Sequence, residues 1–272
     1  MKNPVRGHMF LGIIGVGRMG AAIVAGLVKK KIFSPEEIVI CDQDLLRAKS
    51  LSTRFPVKSA GNLSELVALS DAVVLAVKPQ DKESVVTPIK SSLTNKLLIS
   101  ILAGVPTSYF EDKLGKVPVV RVMPNLGIKV GAGMSFYAPG RFARTTDLKL
   151  VSRIFGSLGE IAEIQEDKMD IITGLSGSGP AYFFLLMEIL AEYAQKNGIS
   201  KEISVRLAKQ TARAAAFLVE EESPSSLRAA VTSKGGTTES ALKVLEEKQV
   251  REIFTRAFDA ALKRAQELSG KT

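Results

Sequence analysis

The sequence predicts a doubly wound α/β sheet followed by an all-α C-terminal domain. Short β-rich apolar runs alternate with helical patterns through the first half of the chain. A glycine-rich hexapeptide joins the first run to the first helix, and the rhythm turns wholly helical beyond about residue 165. Strands that alternate with helices build parallel sheets covered on both faces.

Apolar runs at 10–14, 38–41, 73–77 and 97–102 read as strands, with helices at 21–31, 44–55 and 63–69 between them. Runs at 117–122 and 134–137 extend the sheet. From about 167 the spacing of Phe184, Met187, Ile189 and Leu190 is helical, and Ala- and Leu-rich stretches at 205–219 and 250–268 continue it. Gly198 and Ser200 end one helix and start the next. Ala208, Ala212, Ala215, Ala216 and Leu218 cover more than one side of a helix, which predicts a helix sandwiched on several sides. A homodimer, or a larger assembly of dimers, is expected.

Composition removes several classes of function. Apolar residues make up 46% and charged residues 24%, enough for a core without disulfides. The one cysteine, Cys41, excludes an internal disulfide and a metal site built on paired thiolates. The one histidine, His8, leaves no His-based triad or multi-His metal centre, so no metal is expected. The net charge of +9 comes from scattered Lys and Arg without interleaved aromatics, which suits anionic small molecules and a solvated surface rather than nucleic acid. No apolar run reaches the length of a membrane span, and residues 1–9 read as a polar tail or cloning remnant without a signal-peptide core. A cytoplasmic protein with no membrane partner is expected.

Gly15-Val16-Gly17-Arg18-Met19-Gly20 matches G-x-G-x-x-G between a strand-like run and a helix-like one, the context that gives the pattern meaning. Gly15 permits a tight turn, Gly17 lets the backbone approach a pyrophosphate, and Gly20 lets helix and strand pack closely. The helix N-terminus then offers amides to phosphate. Asp42 ends the second strand where a ribose-binding acid belongs, which favours NADH. Arg18 and Arg47 favour a phosphate, so both NADH and NADPH fit. In an open α/β sheet, strand carboxyl ends face the ligand, which puts Lys78 and the Ala103-Gly104 pair beside the cofactor. The predicted division is a Rossmann-type dinucleotide domain at 10–165 and a helical substrate and dimerisation domain at 166–272.

Two further segments place small residues before a helix. Residues 173–180, with Ser176, Ser178 and Pro180, precede one; residues 231–238, with Ser233, Lys234, Gly235, Gly236, Thr237 and Thr238, precede another. Such turns form backbone nests that hold an anion, and they also serve as plain helix caps.

On the segments 15–20, Ala76-Val77-Lys78-Pro79, Val122-Met123-Pro124-Asn125, 173–182 and 231–238, the chain resembles the pyrroline-5-carboxylate reductase family over residues 10–268. The resemblance implies a Rossmann domain, a helical domain interlocked with a second subunit, and a shared cleft. It implies reduction of 1-pyrroline-5-carboxylate to L-proline by NADPH or NADH. Asn62, Ala76, Val77, Lys78, Pro79 and Asn125 then belong to the cofactor side, and Glu221, Thr237 and Thr238 to the substrate side. The chain departs from the family's pattern at Leu126-Gly127 (usually Thr-Pro), Lys234 (usually proline), Ala229 (often aspartate) and Gln43 (often a 2′-phosphate-binding arginine).

Hydride delivery to a C=N carbon needs the nitrogen protonated or strongly hydrogen-bonded. Thr238 is expected to place its hydroxyl against that nitrogen, while the Gly235 and Gly236 amides hold the substrate carboxylate. Lys78 would stabilise charge near the cofactor or relay a proton through water. Catalysis would come mainly from positioning, and the redox chemistry from the cofactor. The alternatives are a reductase of another cyclic imine or carbonyl acid, and a non-catalytic NAD(P)H-binding regulatory relative.

Overall fold

The computed structural model describes residues 9–270. His8 and all but the last residue of the 1–9 tail lie outside the described residues. The described chain divides into two compact units, one of residues up to 177 together with those from 261 onward, the other of residues 178–260.

The first unit holds an eight-stranded sheet in the order β3-β2-β1-β4-β5-β6-β7-β8. Its strands are β1 (Leu11–Ile14), β2 (Ile38–Cys41), β3 (Lys58–Ser59), β4 (Ala72–Leu75), β5 (Leu97–Ser100), β6 (Val119–Pro124), β7 (Gly133–Pro139) and β8 (Gly159–Glu163). Neighbouring strands are parallel except β6 and β7. The β-rich runs form a two-sided sheet because successive residues face opposite layers. Leu11 and Ile13 join one core cluster and Ile14 the other; Ile38 and Ile40 likewise oppose Val39 and Cys41.

One layer is supplied by α1 (Arg18–Lys29), α2 (Leu45–Arg54) and α6 (Thr145–Gly156). The other is supplied by α3 (Leu63–Ala68), α4 (Lys82–Ile89) and α5 (Thr107–Leu114). Asp44 and Asn62 cap α2 and α3, each accepting a backbone N–H from three residues on. After β8 come the short α7 (Met169–Ile172) and a π-turn at Thr173–Gly177.

Arg121, in the middle of β6, is the largest fully buried side chain, at 1% exposure. Its Nη2 donates to Asp170 Oδ1 at 3.4 Å, and Nη1 lies 3.7 Å from Glu166 Oε1. Glu166 also accepts from the Thr107 amide and hydroxyl, both at 2.7 Å, at the start of α5. Asp170 Oδ2 accepts from Ser269 Oγ at 3.2 Å. One buried cation thereby ties three distant segments to the sheet.

The second unit contains α8 (Gly179–Lys196), α9 (Lys201–Leu218), α10 (Pro224–Ala230), α11 (Thr237–Glu247) and the first part of α12 (Val250–Leu268). Pro180 sits in the first turn of α8, and the Ser200 side chain caps α9. Small residues, Ala191, Ala194, Ser204 and Ala208, are buried where α8 and α9 pack. Large apolar residues remain outside, with Phe183, Leu185, Leu186, Ile189, Phe217 and Leu218 all more than half exposed.

Within the helical stretch Glu166–Lys196 an 18-residue window reaches a mean hydropathy of 1.2, enough by length and composition alone to cross a membrane. This corrects the expectation that no apolar stretch reaches such a length.

Replacing Arg121 by Met leaves Asp170 buried without its cation. The expected loss is about 3–5 kcal/mol, read as a lower urea midpoint, and Arg121→Met with Asp170→Leu should recover much of it.

Candidate active site

The cofactor half of the site begins where β1 stops. Gly15 has φ +89°, a left-handed turn that a side chain disfavours, and its N–H donates to the Cys41 carbonyl at 2.8 Å. A Cβ at Gly15 would lie 2.8 Å from the Ala76 carbonyl oxygen, and one at Gly20 would lie 2.0 Å from the Gly15 oxygen. These two glycines hold the first helix against β1 and β4. At Gly17, the N-cap of α1, a Cβ would meet nothing within 4 Å. Backbone is therefore presented to open space at the start of a helix whose first amides lack partners in the helix.

That space is a cavity of about 1080 Å3, at the upper end of ordinary ligand sites. Gly15, Val16, Gly17 and Arg18 line it, with Asp42, Gln43 and Arg47 at the end of β2, Asn62 at the start of α3, and Ala76, Val77 and Lys78 beyond β4. A dinucleotide fits this setting: a close backbone approach, a helix N-terminus, and three cations near the wall.

Asp42 does more than end a strand. Its carboxylate is buried and accepts from the Val16 amide at 2.7 Å through Oδ2 and from the Asp44 amide at 2.8 Å through Oδ1. Arg47 Nη1 lies 3.6 Å from Oδ2, and Nη2 lies 3.2 Å from Asp44. The acid thus fastens the glycine turn to the next loop, and Arg47 leans onto both carboxylates. Cys41 also lines the cavity; burial first, then the charges of Asp42 and Glu65, push its thiol above the ordinary value and keep it neutral.

Met19, Gly20, Pro79, Ala103, Gly104 and Asn125 are not among the residues that line the cavity. Pro79 opens a 3-10 turn, Pro79–Asp81, for which Lys78 is the N-cap residue. Gly104 has φ +72°, and a Cβ there would lie 2.7–2.8 Å from the backbone of Leu268 and Ser269, at the end of α12. Asn125 follows β6 and reaches Ser176 in the π-turn, from Nδ2 to Oγ at 3.5 Å. Reading the sequence missed Arg121, Glu166, Asp170 and Ser269; the one visible signal was an arginine within an apolar strand.

The second unit gathers Ser233, Gly235, Gly236, Thr237 and Thr238 in one turn that opens α11. Gly235 has φ +73°, and its N–H donates to Glu239 Oε2 at 2.6 Å; the Gly236 N–H donates to the Ser233 carbonyl at 3.0 Å. Both amides expected to hold a carboxylate are engaged within the turn. Thr237 and Thr238 open the helix itself, where backbone amides have no intrahelical partner. Ser178 starts α8, and Glu221 is exposed in the turn after α9.

Replacing Asp42 by Ala removes the acceptor of the Val16 amide. NADH and NADPH should both bind about ten-fold more weakly in fluorescence titrations; a loss confined to NADH would assign Asp42 to the ribose hydroxyl alone.

Comparison with known proteins agrees with this geometry. Residues 166–268 match the family model described as pyrroline-5-carboxylate reductase dimerisation, and residues 10–104 match that described as NADP oxidoreductase, coenzyme F420-dependent. The pyrroline-5-carboxylate reductase of Methanosarcina acetivorans is 39% identical over 96% of this chain and 98% of its own. The Plasmodium falciparum pyrroline carboxylate reductase, solved with NADP bound, superposes with a TM-score of 0.88 at 32% identity, covering 96% of this chain and 98% of its own. The Coxiella burnetii pyrroline-5-carboxylate reductase gives 0.88 at 36% identity, covering 97% and 99%. The chain belongs to the pyrroline-5-carboxylate reductase family.

Proposed function

We propose that this chain reduces 1-pyrroline-5-carboxylate to L-proline with NADPH or NADH, holding the cofactor in the cavity at the carboxyl ends of β1, β2 and β4. As a member of this family it is an NAD(P)H-dependent oxidoreductase acting on a C=N bond. The observation that carries the reading is the turn at Gly15–Gly20, where contact-limited glycines leave Gly17 open beside a helix N-terminus.

The bound nicotinamide supplies the hydride. The remaining work belongs to the chain. The Gly17 backbone and the first amides of α1 receive the phosphates, and Arg18, Arg47 and Lys78 balance their charge. Asn62 keeps its own helix capped while facing the cavity, accepting from the Glu65 amide at 2.9 Å. Lys78 offsets charge beside the cofactor.

On the substrate side, the Thr238 hydroxyl is proposed to hold the imine nitrogen. The amides of Thr237 and Thr238, at the start of α11, are better placed for the carboxylate than those of Gly235 and Gly236, which are engaged within the turn. Ser176, Ser178, Ser233 and Glu221 complete the proposed polar set. A ring fixed in this way reacts by positioning. The exposed apolar residues of α8 and α9 suit a homodimer or an assembly of dimers, with the cytoplasm as the proposed setting.

Mixing the protein with pyrroline-5-carboxylate should consume NADPH or NADH absorbance, and piperideine-2-carboxylate should be the poorer substrate. Cofactor binding without imine-dependent oxidation would make the chain a binding relative. Thr238→Ala should lower kcat roughly 10-fold or more, and unchanged turnover at saturation would remove Thr238 from the chemistry.

A further inference from the structure

Asn125 directly follows β6 in a side-chain setting that fixes its orientation. Its Oδ1 accepts from two backbone amides, Gly127 N–H at 3.0 Å and Met134 N–H at 3.2 Å. With the oxygen held twice, the amide nitrogen points the opposite way and donates to Ser176 Oγ at 3.5 Å. Gly127 contributes to this lock through its backbone N–H, and a proline there would remove one of the two bonds. A Cβ at 127 would also lie 2.3 Å from the Ala132 carbonyl oxygen, so the turn is built around a bare backbone.

A serine hydroxyl that receives a bond at oxygen keeps its own proton for another acceptor. Ser176 is half-buried in the π-turn Thr173–Gly177, a backbone form that concentrates at functional sites. The turn lies against β6, where a Cβ at Gly177 would sit 3.6 Å from Met123 Sδ. In the order β2-β1-β4-β5-β6, the end of β6 lies across the β1/β4 crossover from Asp42. In doubly wound sheets that half of the carboxyl edge serves the second nucleotide.

We propose that Asn125 is a positioning residue which, through Nδ2, holds Ser176 so that its hydroxyl proton is donated to the carboxylate of the imino-acid substrate. The inference rests on the reading of the chain as a reductase of such a substrate. The 3.5 Å separation is long for an N–H···O bond, and bonds of this kind shorten when the ligand arrives.

The test uses the full-length enzyme, two imines and a cofactor titration. Ser176→Ala should raise KM for pyrroline-5-carboxylate roughly 10- to 100-fold, the range of a hydrogen bond to a charged group. Its kcat and NADPH dissociation constant should stay near wild type. Asn125→Ala should raise KM less, and the double variant should be no worse than Ser176→Ala, because one residue acts through the other. With 1-pyrroline, which has no carboxylate, the rise in KM should be much smaller for all three than with pyrroline-5-carboxylate. Should Asn125→Ala not fold, Asn125→Asp keeps both backbone bonds, loses the donor and should show the same carboxylate-dependent defect. Additive losses, an equal defect on 1-pyrroline or weakened NADPH binding would overturn the proposal. A wild-type chain that reduces neither imine overturns the parent reading and takes this one with it, a failure visible in the control alone.

Discussion

The buried Arg121 is the constraint on which the carboxyl edge of the sheet depends. A guanidinium taken fully out of water costs several kcal/mol unless anions follow it inside. Here they come from Glu166 and Asp170, and each brings a piece of chain. Glu166 holds the first turn of α5, just after the Gly104 bend, through the Thr107 amide and hydroxyl. Asp170 lies in α7, immediately before the π-turn that carries Ser176, and also receives Ser269. The bend after β5, the approach to the π-turn and the end of α12 therefore share one anchor on β6. Loosening any of them would uncover charge, so the edge is stiff for an electrostatic reason.

The other end of the edge is held by contact and by hydrogen bonds. Gly15, Gly20 and Ala76 meet at distances that no side chain could share, which brings β1, β4 and α1 together. Asp42 then joins the glycine turn to the loop after β2. A carboxylate fully committed as a ribose partner would be free to turn toward ligand; this one is already part of the frame. Its charge is shared with Arg47, so the ground for excluding a 2′-phosphate is weaker than the sequence pattern alone implies.

Much of the architecture was legible because two-sided burial leaves a plain record in sequence. The run at 38–41 is β2 to the residue, and 250–268 coincides with α12. The runs at 73–77 and 97–102 overshoot because Ala76, Val77, Ile101 and Leu102 are apolar yet lie beyond the strand ends. β3 and β8 leave little signal: one has two polar residues, and the other begins at Gly159 and carries glutamates at 160 and 163. The glycine turn was readable because its geometry is local. Links that span many residues, such as the 49 between Arg121 and Asp170 or the 26 between Val16 and Asp42, leave no local pattern. The engagement of the Gly235 amide is a short-range link by contrast, to Glu239 four residues on.

The left-handed Gly104 has a consequence for how the protein is handled. Main chain from Leu268 and Ser269 occupies the place where any other residue at 104 would put its first carbon. The terminal turn of α12 is thus a wedge seated in the bend that follows a central strand. A chain cut before Leu268 would empty that seat, and an affinity handle fused directly after Ser269 would pull on it.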